Sequence, residues 1–444
     1  MNIANILDNS GRCYGNHPAI ANGNNEWLSY SLLAERCSAM AHQLISQYQL
    51  KPGDNVALIS RNCPQHIEIF FSLWYAGLVV VPINAKLHHN ELRYLLEDCS
   101  AKVCFSSIKL SPAISLLVRE IGTLQCNIVI GSEQYLALEE GETNPPATVL
   151  PNDPAWIFYT SGTTGKPKGA LLSHQNLFAM IQGYFSDIDS IEPGDSIIHA
   201  APMSHGSGFY ILPHVAKGGI NVIPTSGGFN ADELTQLIQQ YQQPTFFAAP
   251  TMVKRLVEYA FSSKENYQNI KTIVYGGGPM YQQDLANALS VFSGKLVQMY
   301  GQGESPMTIC ALSKFHHQDA KHPDHIERLA SIGLPVLGVE VKLVDATGHL
   351  AEIGSAGEVY VRGKTVMLGY LNNEKATKET LVDGWLKTGD IAICIKDGFI
   401  KLVDRNKDVI ISGGSNIYPR EVEEVLNRHP AILETSVIGE ADDN

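Results

Sequence analysis

Apolar positions along the first half of the chain alternate between two periods. Ser31–Tyr48 and Gln65–Ala76 carry helical spacing, whereas Asn55–Ile59 and Leu78–Ile83 are short β-branched runs. Glu91–Cys99 is again helical and Lys102–Ser106 extended. Strand–helix–strand alternation predicts parallel sheets covered by helices. The pattern returns between Ser196 and Val297, with strands expected at Ile197-Ile198, Asn221–Ile223 and Lys271–Tyr275. The longest apolar stretch, Ile69–Val81, is broken by Ser72 and Gly77 and is shorter than the roughly 20 residues of a membrane span. It predicts a buried helix followed by the strand Val79–Val81.

The pattern changes after about residue 328. Gly338–Val344, Gly357–Arg362, Ile391–Cys394 and Gly398–Val403 are short runs separated by Gly and Asp turns, as in a small antiparallel barrel or sheet. From Asp404 the chain is Lys/Asp/Gly-rich, then helical (Pro419–Arg428), then extended (Thr435–Ile438). This last stretch of about 40 residues is too short for a core of its own.

Composition narrows the function classes. Of 444 residues 44% are hydrophobic and only 17% charged, which excludes a disordered or coiled-coil chain. The formal charge of -13 is the wrong sign for a nucleic-acid partner. Met1–Gly15 has no basic-then-apolar leader, and the 8 cysteines include no Cys-x-x-Cys pair. A cytoplasmic protein with reduced thiols and no integral membrane association is expected. An acidic chain can still hold a small anion where donors are concentrated locally.

Such a concentration follows the apolar run Trp156–Tyr159. Thr160, Ser161, Gly162, Thr163, Thr164, Gly165, Lys166, Pro167, Lys168 and Gly169 combine hydroxyls, two lysines and glycines that let successive N–H groups converge on phosphate. The segment departs from the Walker A pattern, because Thr160 occupies its first Gly position and Pro167 follows the lysine. A kinase or GTPase of that class is therefore disfavoured. Thr160–Gly169 resembles the signature loop of the adenylate-forming superfamily, which includes acyl- and aryl-CoA synthetases, luciferases and the adenylation domains of peptide synthetases. The likeness extends over essentially the whole chain. Tyr300-Gly301-Gln302-Gly303-Glu304 resembles the family's Tyr-Gly-x-Thr-Glu motif. Gly384–Asp390 is similar to its Gly-Trp-x-x-Thr-Gly-Asp, and Asp404–Asp408 with Gly413–Pro419 looks like its hinge and following loop.

The resemblance implies an α/β fold. Residues 1–403 would form a large AMP-binding domain of two parallel-type sheets covered by helices, with a small antiparallel β-barrel at about 329–403. Residues 404–444 would be the hinge and a truncated α+β lid. It also implies a reaction. A carboxylate attacks the α-phosphate of ATP, pyrophosphate leaves, and a thiol takes the acyl group from the adenylate. ATP, Mg²⁺ and coenzyme A are the implied cofactors, with a carrier-protein thiol as the alternative acceptor. The loop would hold the β- and γ-phosphates, with Thr160 and Lys168 as catalytic residues beside Glu304, which would also position Mg²⁺. Tyr300, with Gly301, Gln302 and Gly303, and Gly277, Gly278 and Pro279 would meet the nucleotide. Asp390 would accept from the ribose hydroxyls, Arg405 would lie near them, and Lys407 takes the hinge position. His205, in Pro202–Gly208, and Gly276 would line the acid pocket. That segment lacks the Phe-Asp of amino-acid-activating relatives, so a fatty or aryl acid is expected. The resemblance leaves room for a homodimer.

Two departures qualify the likeness. Gly303 replaces the usual Thr, so a hydroxyl expected near the α-phosphate is missing, at a cost of about 1.5–3 kcal/mol. No lysine follows Lys407, whereas the family's lid carries a Gly-Lys motif whose lysine bridges carboxylate and phosphate. The 444 residues are therefore expected to bind ATP yet adenylate poorly, with a non-catalytic nucleotide- or acyl-adenylate-binding protein as the alternative. His316, His317, His322 and His325, near Cys310, fit no closed zinc spacing and are expected to lie on a solvated loop.

Overall fold

The β-branched runs pair as their hydrophobic pattern requires, in a computed structural model. It describes residues 1–160, 166–263, 265–405, 410–412, 415–427, 429, 431–432 and 435–440. One sheet has seven strands, in the order Gly369–Tyr370, Lys168–Ser173, Pro154–Thr160, Val79–Asn84, Asn55–Ser60, Val103–Ser106 and Cys126–Val129. The five strands from Pro154–Thr160 onward are mutually parallel, and Lys168–Ser173 runs antiparallel to both of its neighbours, Pro154–Thr160 and Gly369–Tyr370. A second sheet has nine strands, with Leu296–Gln302, Thr272–Gly276, Thr245–Ala248, Ser196–Ile198, Ile220–Ile223 and Pro18–Asn22 forming its parallel centre. Ser305–Leu312 and Leu334–Pro335 extend it antiparallel at one edge.

Helix Gln65–Tyr75 is apolar on nearly every side, and it is buried accordingly. Its Phe70 packs edge-on to Trp156 at 5.0 Å, and Trp156 stacks on Phe209 at 4.5 Å. Trp156 belongs to the seven-stranded sheet and Phe209 to the short helix Gly206–Phe209 leading toward the second. Each such buried ring contributes roughly 1.5–3 kcal/mol, so this aromatic seam ties the two layers together.

Val339–Val344, Ala356–Gly363 and Trp385–Cys394 form the antiparallel unit, with Leu381–Val382 and Ile400–Arg405 both pairing to the long third strand. That strand begins six residues before the expected start at Ile391. Thr388-Gly389-Asp390 reads locally as a turn, yet the pairing shifts there between Glu358 and Tyr360, and Gly389 has φ of 73°. The strand absorbs the turn signal as a bulge, which only glycine accommodates cheaply. Ile400–Arg405 carries Asp404 and Arg405 into register with Ile391 and Asp390. Beyond it, Ile410–Ser412 pairs with Ser415–Ile417, and helix Pro419–Leu426 follows with proline in its first turn. Among the described residues no helix is long and apolar enough to cross a membrane.

Candidate active site

The parallel strands of both sheets end at a common rim, where ligands of α/β sheets ordinarily bind. Thr160 closes one strand and pairs with Lys168 on the antiparallel return strand. Ser161, Gly162, Thr163, Thr164 and Gly165, between these two strands in sequence, lie outside the described residues. Lys166 sits 5.3 Å from the ring centroid of Tyr94, whose hydroxyl donates to the Pro167 carbonyl at 3.1 Å. Lys168 sits 4.5 Å from the ring centroid of Tyr370. Each loop lysine thus rests against an aromatic face.

Across from this strand pair, the strands Leu296–Gln302 and Ser305–Leu312 are joined through Gly303 and Glu304. Glu304 is 9% exposed. Its Oε1 accepts from the hydroxyls of Thr160 at 3.1 Å and of Tyr370 at 2.7 Å. Gly303 makes this approach sterically feasible, because a Cβ there would lie 2.4 Å from Thr160 Cγ2 and 2.5 Å from Phe158 Cδ1. The volume expected for the missing Thr side chain is occupied by the neighbouring sheet. Gly303 is therefore a packing requirement of this chain, and the absent hydroxyl is not a simple deletion from an open site.

Asp390 is delivered by the bulge at Gly389 and is 7% exposed. Its Oδ2 accepts from the Tyr300 hydroxyl at 2.5 Å and from Gln302 Nε2 at 2.7 Å. Burial, and then the Asp390 charge, push the Tyr300 phenol well above its ordinary pKa, so it remains a donor. Gly276 must be glycine, since a Cβ would fall 2.2 Å from the Met299 carbonyl oxygen. Gly277 turns with φ of 77°, next to Gly278 and Pro279. These three follow the strand that pairs with Leu296–Gln302, which places them beside Tyr300.

The family model described as AMP-binding enzyme matches residues 7–371. The chain belongs to that family. A feruloyl-CoA synthase of Amycolatopsis sp is 32% identical over 418 residues, covering 94% of this chain and 81% of that protein. A long-chain-fatty-acid–CoA ligase of Yersinia pestis is 32% identical, covering 98% of this chain and 82% of the relative. The solved structure of o-succinylbenzoate CoA synthetase from Bacillus subtilis, in complex with its acyl-adenylate intermediate, is 27% identical with a TM-score of 0.86. It covers 99% of this chain and 86% of that one. The adenylate-forming class and its α/β architecture, expected from four motifs, are thereby established for this chain.

In this AMP-binding enzyme, His205 is the remaining pocket candidate. It is exposed, edge-on to Phe158 at 5.6 Å, and its Nδ1 lies 3.2 Å from Ser204 Oγ. Phe158 therefore touches both the His205 loop and the space beside Gly303. The loop is held from beneath by Asn62, which donates to the carbonyls of His199 and Ala201 at 2.8 Å and accepts from Met203 N at 2.8 Å. Arg405 pairs through its backbone with Asp390, and Lys407 lies outside the described residues.

Sequence reasoning missed Tyr370, Phe158, Tyr94 and Asn62, none of which sits in a motif recognised beforehand. It also misjudged the histidine cluster. His317 is 3% exposed, with Nε2 at 2.9 Å from the Tyr275 hydroxyl and Nδ1 at 2.8 Å from the Ser313 carbonyl oxygen. The helix Lys314–Gln318 folds this side chain inward, so that part of the segment is core and not solvated loop.

Proposed function

We propose that the chain binds ATP with Mg²⁺ and activates a fatty or aryl carboxylic acid as its acyl-adenylate, which a coenzyme A thiol then takes. The observation that carries this reading is the meeting of Thr160, Lys168 and Glu304 at one sheet rim, with the Tyr300–Gln302–Asp390 cluster alongside. In the first step a carboxylate oxygen bonds to the α-phosphorus while the bond to the β-phosphate's bridging oxygen breaks and pyrophosphate departs. In the second, sulfur bonds to the acyl carbon and AMP leaves.

Roles follow from chemistry. The loop, with Ser161, Gly162, Thr163, Thr164, Gly165 and Lys166, would gather the β- and γ-phosphates. Thr160 and Lys168 would face the charge that develops on the departing group. Gly276 through Pro279 would admit the adenine against backbone, with Tyr300 and Gly301 beside it. Asp390 would accept from the ribose, with Arg405 close by, and His205 would meet the acid. Glu304 fits a hard divalent cation, because its donor set is oxygen only and among the described residues no ion pair neutralises it. Magnesium bound there would supply charge neutralisation at the phosphates. Residues 1–403 would be the AMP-binding domain and 404–444 the hinge and lid, with Lys407 as hinge. Glu424 accepting from Gln282 N at 3.1 Å supports packing of that segment beside the nucleotide loop.

The relatives' substrates span aryl and long-chain acids, and one relative is a fatty acid–acyl-carrier-protein ligase of Streptomyces coeruleorubidus. The test is acid-dependent ATP–pyrophosphate exchange with ferulate, a long-chain fatty acid and 2-succinylbenzoate, followed by thioester assay with coenzyme A or holo-carrier protein. Only weak stimulation of exchange by one acid is expected of these 444 residues. ATP binding with no response to any acid would favour the non-catalytic reading, and thioester formed only on carrier protein would reassign the acceptor.

A further inference from the structure

Tyr370 lies on a two-residue strand that pairs with the return strand of the phosphate loop, opposite Ala170. Its backbone is pinned on both sides, since Leu368 N and Leu371 N donate to the carbonyls of Leu171 and Gly169 at 2.9 and 2.8 Å. Its own N–H donates to Thr377 Oγ1 at 2.9 Å. The ring direction is therefore set by the sheet, before any ligand arrives. From that fixed position the side chain does two things. The hydroxyl donates to Glu304 Oε1 at 2.7 Å, and the ring face carries the Lys168 ammonium 4.5 Å from its centroid. Thr160 donates to the same Oε1 at 3.1 Å. Both hydroxyls hold one carboxylate oxygen, and among the described residues no donor is directed at Oε2. Both donors are neutral, so they orient Glu304 without cancelling its charge.

We propose that Tyr370 is a positioning residue of this site, whose hydroxyl holds Glu304 so that Oε2 is left to a divalent cation accompanying ATP, and whose ring seats Lys168 beside the same phosphates. This rests on the reading of Glu304 as the cation-holding carboxylate. Tyr370 makes the acid and Lys168 one unit, although they lie on different sheets.

The test uses the full chain with Mn²⁺ as probe, read by electron paramagnetic resonance with ATP, and with ATP binding in EDTA measured by calorimetry. Tyr370→Phe removes the hydroxyl and keeps the ring. It should weaken Mn²⁺–ATP binding about tenfold, the scale of one lost hydrogen bond to a charged group, with EDTA-state ATP affinity within about twofold. Tyr370→Leu removes both functions and should weaken the EDTA-state affinity as well, by about threefold or more. Circular dichroism and melting curves check that each variant folds, and Glu304→Gln serves as reference. If Glu304→Gln weakens Mn²⁺–ATP binding while Tyr370→Phe does not, the positioning role is overturned and the reading of Glu304 stands. If neither does, both fall. Equal loss in Mn²⁺ and EDTA for Tyr370→Phe would show general damage to the site and would also overturn the role.

Discussion

Glu68 and Glu304 are both buried carboxylates clasped by a tyrosine hydroxyl, in surroundings of opposite character. Glu68, on helix Gln65–Tyr75, is fully buried, with Tyr135 donating to Oε2. Arg36 Nε lies 2.7 Å from its Oε1, and the same guanidinium also pairs with Glu139 and sits 5.2 Å from the Trp27 ring centroid. Burial nevertheless outweighs Arg36 and pushes the Glu68 carboxyl up to about 7. Glu304 keeps a sliver of exposure, and its clasp consists of two neutral hydroxyls. The tyrosine is common to both, so it marks neither function nor structure by itself. What separates them is whether the fold compensates the charge. At Glu68 a cation of the same fold does so in part and the proton retained by burial does the rest, which leaves nothing for a ligand; at Glu304 compensation is left to whatever binds.

The largest test of this contrast is Glu304→Gln. Acid-dependent ATP–pyrophosphate exchange should fall by about 10²–10³, the scale for losing one preorganised electrostatic group, with the melting temperature close to that of the parent. Arg36→Ala should give the reverse pattern. Urea titration should show a loss of about 3 kcal/mol, because Glu68 is left buried without its cation, while ATP affinity of the folded protein is retained. Loss of ATP binding in folded Arg36→Ala would break the division.

Gly303→Ala comes next. Its methyl must displace Thr160 or Phe158, at a cost of about 1–3 kcal/mol, and ATP affinity should fall with it because Thr160 leaves Glu304. Stability and affinity unchanged would mean that the two sheets part there without penalty. The last test concerns pH. Below about 4.5 Glu68 is protonated folded or unfolded. Between that value and about 7 the folded chain retains a proton that the unfolded chain releases. Its contribution to stability therefore declines as pH rises through this window and is lost above it, at no more than about 1.4 kcal/mol per pH unit. Glu68→Gln, which mimics the protonated form, should flatten that part of the stability–pH curve. A parallel curve would show Glu68 to be ionised throughout.

Legibility in the sequence followed how locally each feature is determined. Alternating periods sufficed for the parallel strands, because each buries residues within its own segment. The loop residues Thr160, Lys166 and Lys168 were legible because hydroxyls, glycines and lysines sit together along the chain. Tyr370 was not, since its partner Glu304 lies 66 positions away and nothing in Leu368-Gly369-Tyr370 signals an acid nearby. Gly303 was legible only as an absence; the ring and methyl that require it come from the other sheet. The strand through Thr388-Gly389-Asp390 was hidden because a bulge and a turn use the same residues. Glu68 did leave a signal, as a single acid within the apolar run Ile67–Phe71, which demands a buried partner.

The helix Gln282–Val291 has no side-chain cap from its own N-cap residue, Tyr281. Its first turn borrows one, since Gln282 N donates to Glu424, and Tyr281 donates to Glu423 at 3.2 Å. Any motion that carries Glu424 away removes that acceptor and loosens the turn by about 0.5–2 kcal/mol. Amide exchange at Gln282 would therefore act as a built-in gauge of where the C-terminal segment is parked.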